Sequence, residues 1–206
     1  MAERKYTIGE EIANAISHTV GVMFAIYAIV MLAVASHSPV QAASTAIFGA
    51  SMFILFQSSA CYHAITNEKA KAVFQKIDHS AIYVLIAGSY TPFLMLTVPF
   101  PYSVALLAMI WYLAVAGVVF SCISLKSKYI ATGLYLLMGW MSLFLFYYIW
   151  NNGSPTAVWY LLGGGVLYSV GAIFYLFKYK YSHTVWHLFV LGGVICHYLS
   201  ILELLK

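Results

Sequence analysis

The chain has 206 residues, of which 63% are hydrophobic and 8% charged, and its mean hydropathy is +0.88. A soluble domain is roughly one quarter charged. Ten Lys and Arg with six Asp and Glu cannot cover a water-facing surface, which excludes a soluble enzyme, a nucleic-acid binder and a disordered hub. The formal charge of +4 comes from basic residues scattered over short connections, not from the single stripe that nucleic acid requires.

A helix crossing the hydrocarbon needs about 20 mostly apolar residues. Seven such runs follow in chain order: residues 12–36, 40–63, 78–98, 102–125, 129–150, 156–177 and 183–205. The breaks between them carry turn chemistry: Pro39, the stretch from Thr66 to Lys76, Pro99 with Pro101, Lys126 with Lys128, Asn151 to Pro155, and Lys178 with Lys180. Alternating strand patterns are absent, and backbone in lipid must satisfy its hydrogen bonds internally. The expected class is an all-α membrane protein, one seven-transmembrane helix bundle over residues 1–206. Arg4, Lys5, Lys69, Lys71, Lys76, Lys126, Lys128, Lys178 and Lys180 all fall on the side of the N-terminus, leaving only Lys206 elsewhere. The positive-inside rule then puts the N-terminus in the cytoplasm and the C-terminus outside, with the chain in the inner (plasma) membrane. Tyr147, Tyr148, Trp150, Trp159 and Tyr160 cluster where an outer interfacial belt would anchor the bundle. The Ala33 to Ala35 segment before Ser36 resembles a signal-peptidase site. Glu3, Glu10 and Glu11 would sit in that leader's basic region, however, so the first run reads as an uncleaved span. No strong repeat and no paired interrupted helices mark an inverted-repeat transporter.

Ionisable groups inside membrane helices are expensive, so each one is a functional hypothesis. Here they gather at the expected cytoplasmic ends: Glu11, Asn14 and His18 on the first span, Ser59 and His63 on the second, Asp78 on the third, His183 and His187 on the seventh. His183 and His187 are four residues apart, on one helical face about 6 Å from each other, the spacing by which a helix gives two ligands to one metal. His63 would complete a three-histidine set with one tetrahedral position open, as in catalytic zinc sites. Imidazole favours zinc or a similar late metal over calcium or magnesium. Taken singly, the histidines also read as interfacial residues and Asp78 as a helix N-cap. His197 lies about 21 Å beyond His183 along the helix and reads as an interhelical hydrogen-bonding residue. His37 and His79 read as surface residues, and Cys61, Cys122 and Cys196 as small buried apolar ones. Gly163 to Gly165 sits in an apolar span without a following lysine, so it reads as a close-packing feature and not a phosphate loop. No lysine lies within the last span for a retinal Schiff base.

In their order, Glu11–His18, Ser59–His63, Lys76–Ile82, Gly88–Pro92 and Ser182–His187 resemble the haemolysin III-like bacterial branch of the progestin and adipoQ receptor (PAQR) family, related to adiponectin receptors and alkaline ceramidases. The resemblance covers essentially the whole chain. It implies a cytoplasmic-side zinc ion held by His63, His183 and His187, with Asp78 positioning the reacting water and Ser59 nearby. Glu11, Asn14 and His18 share a helical face, which by itself reads equally as a polar entry turn; the same resemblance sets them around the ligands, where a carboxylate or amide orients an imidazole. The implied activity is zinc-dependent hydrolysis of lipid amide or ester bonds in membrane homeostasis, with a membrane lipid or fatty-acyl ligand. Two rivals remain, a non-catalytic zinc-stabilised sensor and a pore-forming haemolysin. The sequence does not set the oligomeric state.

Overall fold

A computed structural model of the chain describes residues 6–123, 128–177 and 179–206. Among these, the helices are α1 (Ile8–Ala35), α2 (Pro39–Ala64), α3 (Glu68–Thr97), α4 (Tyr102–Ile123), α5 (Lys128–Trp140), α6 (Leu145–Asn152), α7 (Pro155–Leu176) and α8 (Ser182–Leu204). A short 3₁₀ turn, Met141–Phe144, joins α5 to α6, and that pair forms one span; with it, seven segments are long and apolar enough to cross a membrane. Arg4, Lys5, Lys126 and Lys178, which entered the charge argument, and the last two residues of the 102–125 run lie outside the described residues.

The helix ends follow local chemistry. Thr7 and Glu10 form a reciprocal capping box at the start of α1. Ser38 caps α2 by accepting from the Gln41 amide, with Pro39 in the first turn. Asn67 caps α3 through the Ala70 amide. That cap corrects two expectations. The stretch from Thr66 to Lys76 is not a connection, because all but its first two residues belong to α3, which outruns the hydrophobic window. Asp78 is consequently no N-cap, since it lies ten residues past Glu68 inside the helix.

α1 shows why the chain needs a bilayer. It buries Glu10, Asn14, Ser17 and His18 and exposes Ile12, Ile16, Val20, Met23, Ile26, Val30 and Val34. A soluble helix does the reverse; apolar outside and polar inside is the arrangement that hydrocarbon selects. The chain is a multi-pass membrane protein. α3 is the most buried span and runs through the centre, packed on α2 and α4, while α1 closes against α8 and α8 pairs along its length with α7. Small residues permit the closest approaches. A Cβ on Gly88 would overlap Ser51 of α2, and one on Gly164 would run into the His197 ring of α8.

Other expectations need amendment. Cys122 is exposed on α4, and Cys61 and Cys196 are half-buried rather than buried; a thiol is apolar enough to face lipid or a cavity wall. His79 is half-buried and lines the internal cavity. Tyr147, Trp150 and Trp159 are exposed around the α6–α7 turn.

Candidate metal centre

The ends of α1, α2 and α8 that meet at one face of the bundle carry the polar residues. The turn before α8 is set by Tyr181 in the left-handed region, φ 60°. The Tyr181 amide donates to Glu10 Oε1 at 3.1 Å, tying the start of α8 to the start of α1. His183 and His187 then occupy the first two turns of α8, and His63 the last turn of α2.

These three imidazoles converge. Their ring centroids are 4.5 Å apart for His183 and His187 and 5.2 Å for His63 with each of the others. One potential ligand atom from each lies within 4.8 Å of the other two, so the cluster could hold a metal ion. In His63 and His187 the Nδ1 atoms are held by neighbours. His63 Nδ1 donates to Glu11 Oε2 at 2.6 Å, with the Asn14 amide nitrogen 3.5 Å away. His187 Nδ1 lies 2.9 Å from Ser17 Oγ and 3.3 Å from the Asn14 carbonyl. That carbonyl only accepts, and it already takes the Ser17 hydroxyl proton at 2.8 Å, so Nδ1 of His187 carries the hydrogen. In His63 and His187 alike a hydrogen sits on Nδ1, so Nε2 is the nitrogen left to face an ion. The buried Nε2 atoms of His63 and His183 have no hydrogen-bond partner. Buried ring nitrogens without partners, gathered within 4.8 Å of one another, are the donor set a metal ion satisfies, and the residues present fit one.

The residues expected around the ligands take different places. Glu11 bridges His63 to Lys71, whose Nζ is 2.8 Å from Glu11 Oε1. Asn14 touches two of the histidines and accepts from Thr184 Oγ1 at 2.6 Å. His18 approaches by stacking and not by hydrogen bonding: its ring lies 3.5 Å from that of His187 at 14°, and neither of its nitrogens has a partner. Asp78 is buried beside the Ser59 hydroxyl. Neither belongs to the three-histidine set, and both line a cavity that His183 and His187 also line. That cavity runs between α3, α5, α7 and α8.

Residues 6–198 match the family described as Haemolysin-III related. The chain belongs to that family. It is 44% identical over 193 residues to the Hemolysin-3 homolog of Bacillus subtilis, covering 91% of each chain, and 42% identical over 191 residues to Hemolysin-3 of Bacillus cereus, covering 90% of this chain and 87% of that one. More distantly, it is 26% identical over 205 residues to the human Monocyte to macrophage differentiation factor, covering 96% and 85%. No solved structure matches it. The likeness to the haemolysin III branch of the PAQR family thus runs the length of the bundle.

Sequence reasoning passed over Ser17, Lys71, Thr184 and Tyr6. Ser17 and Thr184 had a faint signal, each lying within a turn of a polar residue on the same helix. Lys71 was hidden because its helix was taken for a loop. Tyr6, whose ring is 5.1 Å from that of His183 and 5.8 Å from that of His63, precedes the first helix and carried no pattern.

Proposed function

We propose that the protein is a zinc-dependent hydrolase of lipid amide or ester bonds serving membrane homeostasis, with its site on the cytoplasmic side of the plasma membrane. The observation that carries this reading is three imidazoles able to share one ion at the end of an apolar cavity whose wall also presents Asp78 and Ser59. Three neutral imidazoles without an oxygen-rich cage suit zinc, and three protein ligands leave a position for chemistry. Zinc, when bound, supplies Lewis-acid polarisation of a carbonyl and makes water a usable nucleophile near neutral pH.

The chain's own groups do the rest. His63, His183 and His187 would hold the ion. A carboxylate oxygen of Asp78 takes the proton of the attacking water as general base. The Ser59 hydroxyl, buried beside Asp78, donates to the oxygen that gains charge as the acyl carbon becomes tetrahedral. Leu85, Phe93, Leu145 and Val190 on the cavity wall receive the acyl chain.

In elemental analysis, the wild-type protein should carry one equivalent of zinc and His187→Ala none. Asp78→Asn should keep its metal and hydrolyse ceramides or acyl esters about 10²- to 10⁴-fold more slowly, the range a general base contributes. Undiminished turnover in Asp78→Asn removes Asp78 from the reaction. A second reading has its own support, because the cluster and its partners knit α1, α2 and α8 together, which is what a zinc-stabilised, non-catalytic sensor needs. On that reading, metal loss lowers stability and no lipid is cleaved.

A further inference from the structure

Beyond the histidine cluster the cavity holds a polar side chain that the proposed chemistry leaves unused. His197 lies on α8 fourteen residues past His183 (197 − 183), about 21 Å along the axis at 1.5 Å per residue, and lines the same cavity. Both of its ring nitrogens are shut off from solvent and neither makes a hydrogen bond. The ring is also clamped. The missing side chain of Gly164 makes the space it occupies, Tyr168 stands edge-on at 5.3 Å and Phe93 at 6.2 Å. Tyr168 is itself admitted by Gly193, where a Cβ would meet that ring at 2.7 Å.

Three other polar groups on the cavity wall, all outside the histidine cluster, are already paired. Tyr90 donates its hydroxyl to the Met138 and Gly139 carbonyls, Trp140 Nε1 donates to Ser169, and the Ser169 hydroxyl donates to the Gly165 carbonyl. Burying a polar atom unpaired is costly, and native interiors avoid it unless a ligand or water completes the bond. The Leu161 carbonyl lies near the His197 ring without reaching hydrogen-bond geometry. A neutral imidazole carries one N–H and one bare acceptor whichever its tautomer, and here neither nitrogen has a partner. What that acceptor lacks is an O–H.

We propose that His197 is a hydroxyl-binding subsite for a long-chain amphiphile whose polar head lies at the three-histidine cluster and which carries a second hydroxyl near its far end, the class of ω-hydroxy fatty acyl chains. This rests on reading the cavity as an acyl-chain site but not on turnover, so it is tested by binding alone. The purified full-length protein in lipid nanodiscs is titrated with palmitic acid, ω-hydroxypalmitic acid and ω-methoxypalmitic acid. The wild type should bind the hydroxy acid roughly tenfold more tightly than either of the others, the worth of one buried hydrogen bond. The methoxy compound has lost the donor and should gain nothing. His197→Leu should erase the preference while keeping palmitate affinity and metal content; His197→Gln, which retains an acceptor, should restore part of it. Equal wild-type affinities for the three acids overturn the proposal without any variant having to fold. A preference that persists in His197→Leu, or one that extends to the methoxy compound, overturns it too. Failure of the wild type to bind any of the three overturns the acyl-site reading together with this one. The hydroxyl preference without lipid hydrolysis sustains this inference while the catalytic reading falls.

Discussion

The hydrogen bond from His63 Nδ1 to Glu11 fixes which nitrogen faces the cluster, and Ser17 with the Asn14 carbonyl does the same for His187. Groups that orient a metal ligand are commonly worth 10- to 100-fold in affinity. Glu11→Ala should therefore weaken zinc binding by about that factor in competition with a chelator, while Glu11→Gln, whose amide oxygen still accepts, should lose less. Ser17→Ala leaves His187 the longer Asn14 contact and should fall between them. Unchanged affinity in Glu11→Ala would reduce Glu11 to a surface anion paired with Lys71. At this scale the sequence was informative where spacing encodes direction. The four-residue step from His183 to His187 predicts a shared face, and the steps of three and four from Glu11 through Asn14 to His18 put those side chains together. Spacing does not say how a side chain is used. His18 shares that face and meets His187 by stacking, and Ser17 was silent because serine is ordinary in membrane helices.

Lys71 acts between elements. Its ammonium donates to the Tyr62 and Ile65 carbonyls at the C-terminal end of α2 and pairs with Glu11 of α1, so one residue of α3 draws three helix ends together. Charged donors to backbone carbonyls are worth up to about 3 kcal/mol when buried, but this side chain is 27% exposed. Lys71→Met should thus cost about 1 kcal/mol, seen as a modest fall in the thermal midpoint together with weaker metal retention. Asn67→Ala, which removes the α3 cap, should cost a similar amount, about 1 kcal/mol, without touching the metal. If the two variants behave alike in metal affinity, Lys71 is only a tether. Hydropathy could not find this part of α3, since Glu68, Lys69 and Lys71 read as a break to any rule that counts apolar residues. A cap and a helical periodicity extend the helix past the membrane boundary all the same. The reverse happened at the fifth span, where an unbroken apolar run concealed the 3₁₀ turn between α5 and α6. Hydrophobicity locates a span and says little of its backbone inside it.

Over the whole molecule, a bound ion would join His63 to His183 across 120 residues of chain (183 − 63), a link that only the folded bundle can make. Binding of that kind stabilises by mass action, by about 2.7 kcal/mol at a metal concentration of one hundred times the dissociation constant. Chelation should lower the thermal midpoint of the wild type and leave that of His187→Ala unmoved. A wild-type midpoint insensitive to chelator would mean that the cluster is not a structural staple. The number of spans and their order were legible in the sequence because lipid imposes one length and one backbone solution on every crossing. Which end faces the cytoplasm is a matter of charge, and geometry alone leaves the bundle free to be turned over. On the proposed orientation the histidine cluster lies at the inner leaflet, an expectation that rests on charge alone: Lys69 and Lys71 in the first turns of α3 share that end with His63. In a background freed of Cys61, Cys122 and Cys196, two exposed positions report the orientation: Lys69 near the cluster and Asn151 at the opposite end. With a membrane-impermeant thiol reagent on intact cells, Asn151→Cys should label at once and Lys69→Cys only after permeabilisation. The opposite pattern would turn the bundle over and set the candidate metal centre facing outward, where it could draw zinc and lipid from outside the cell but not from the cytoplasm.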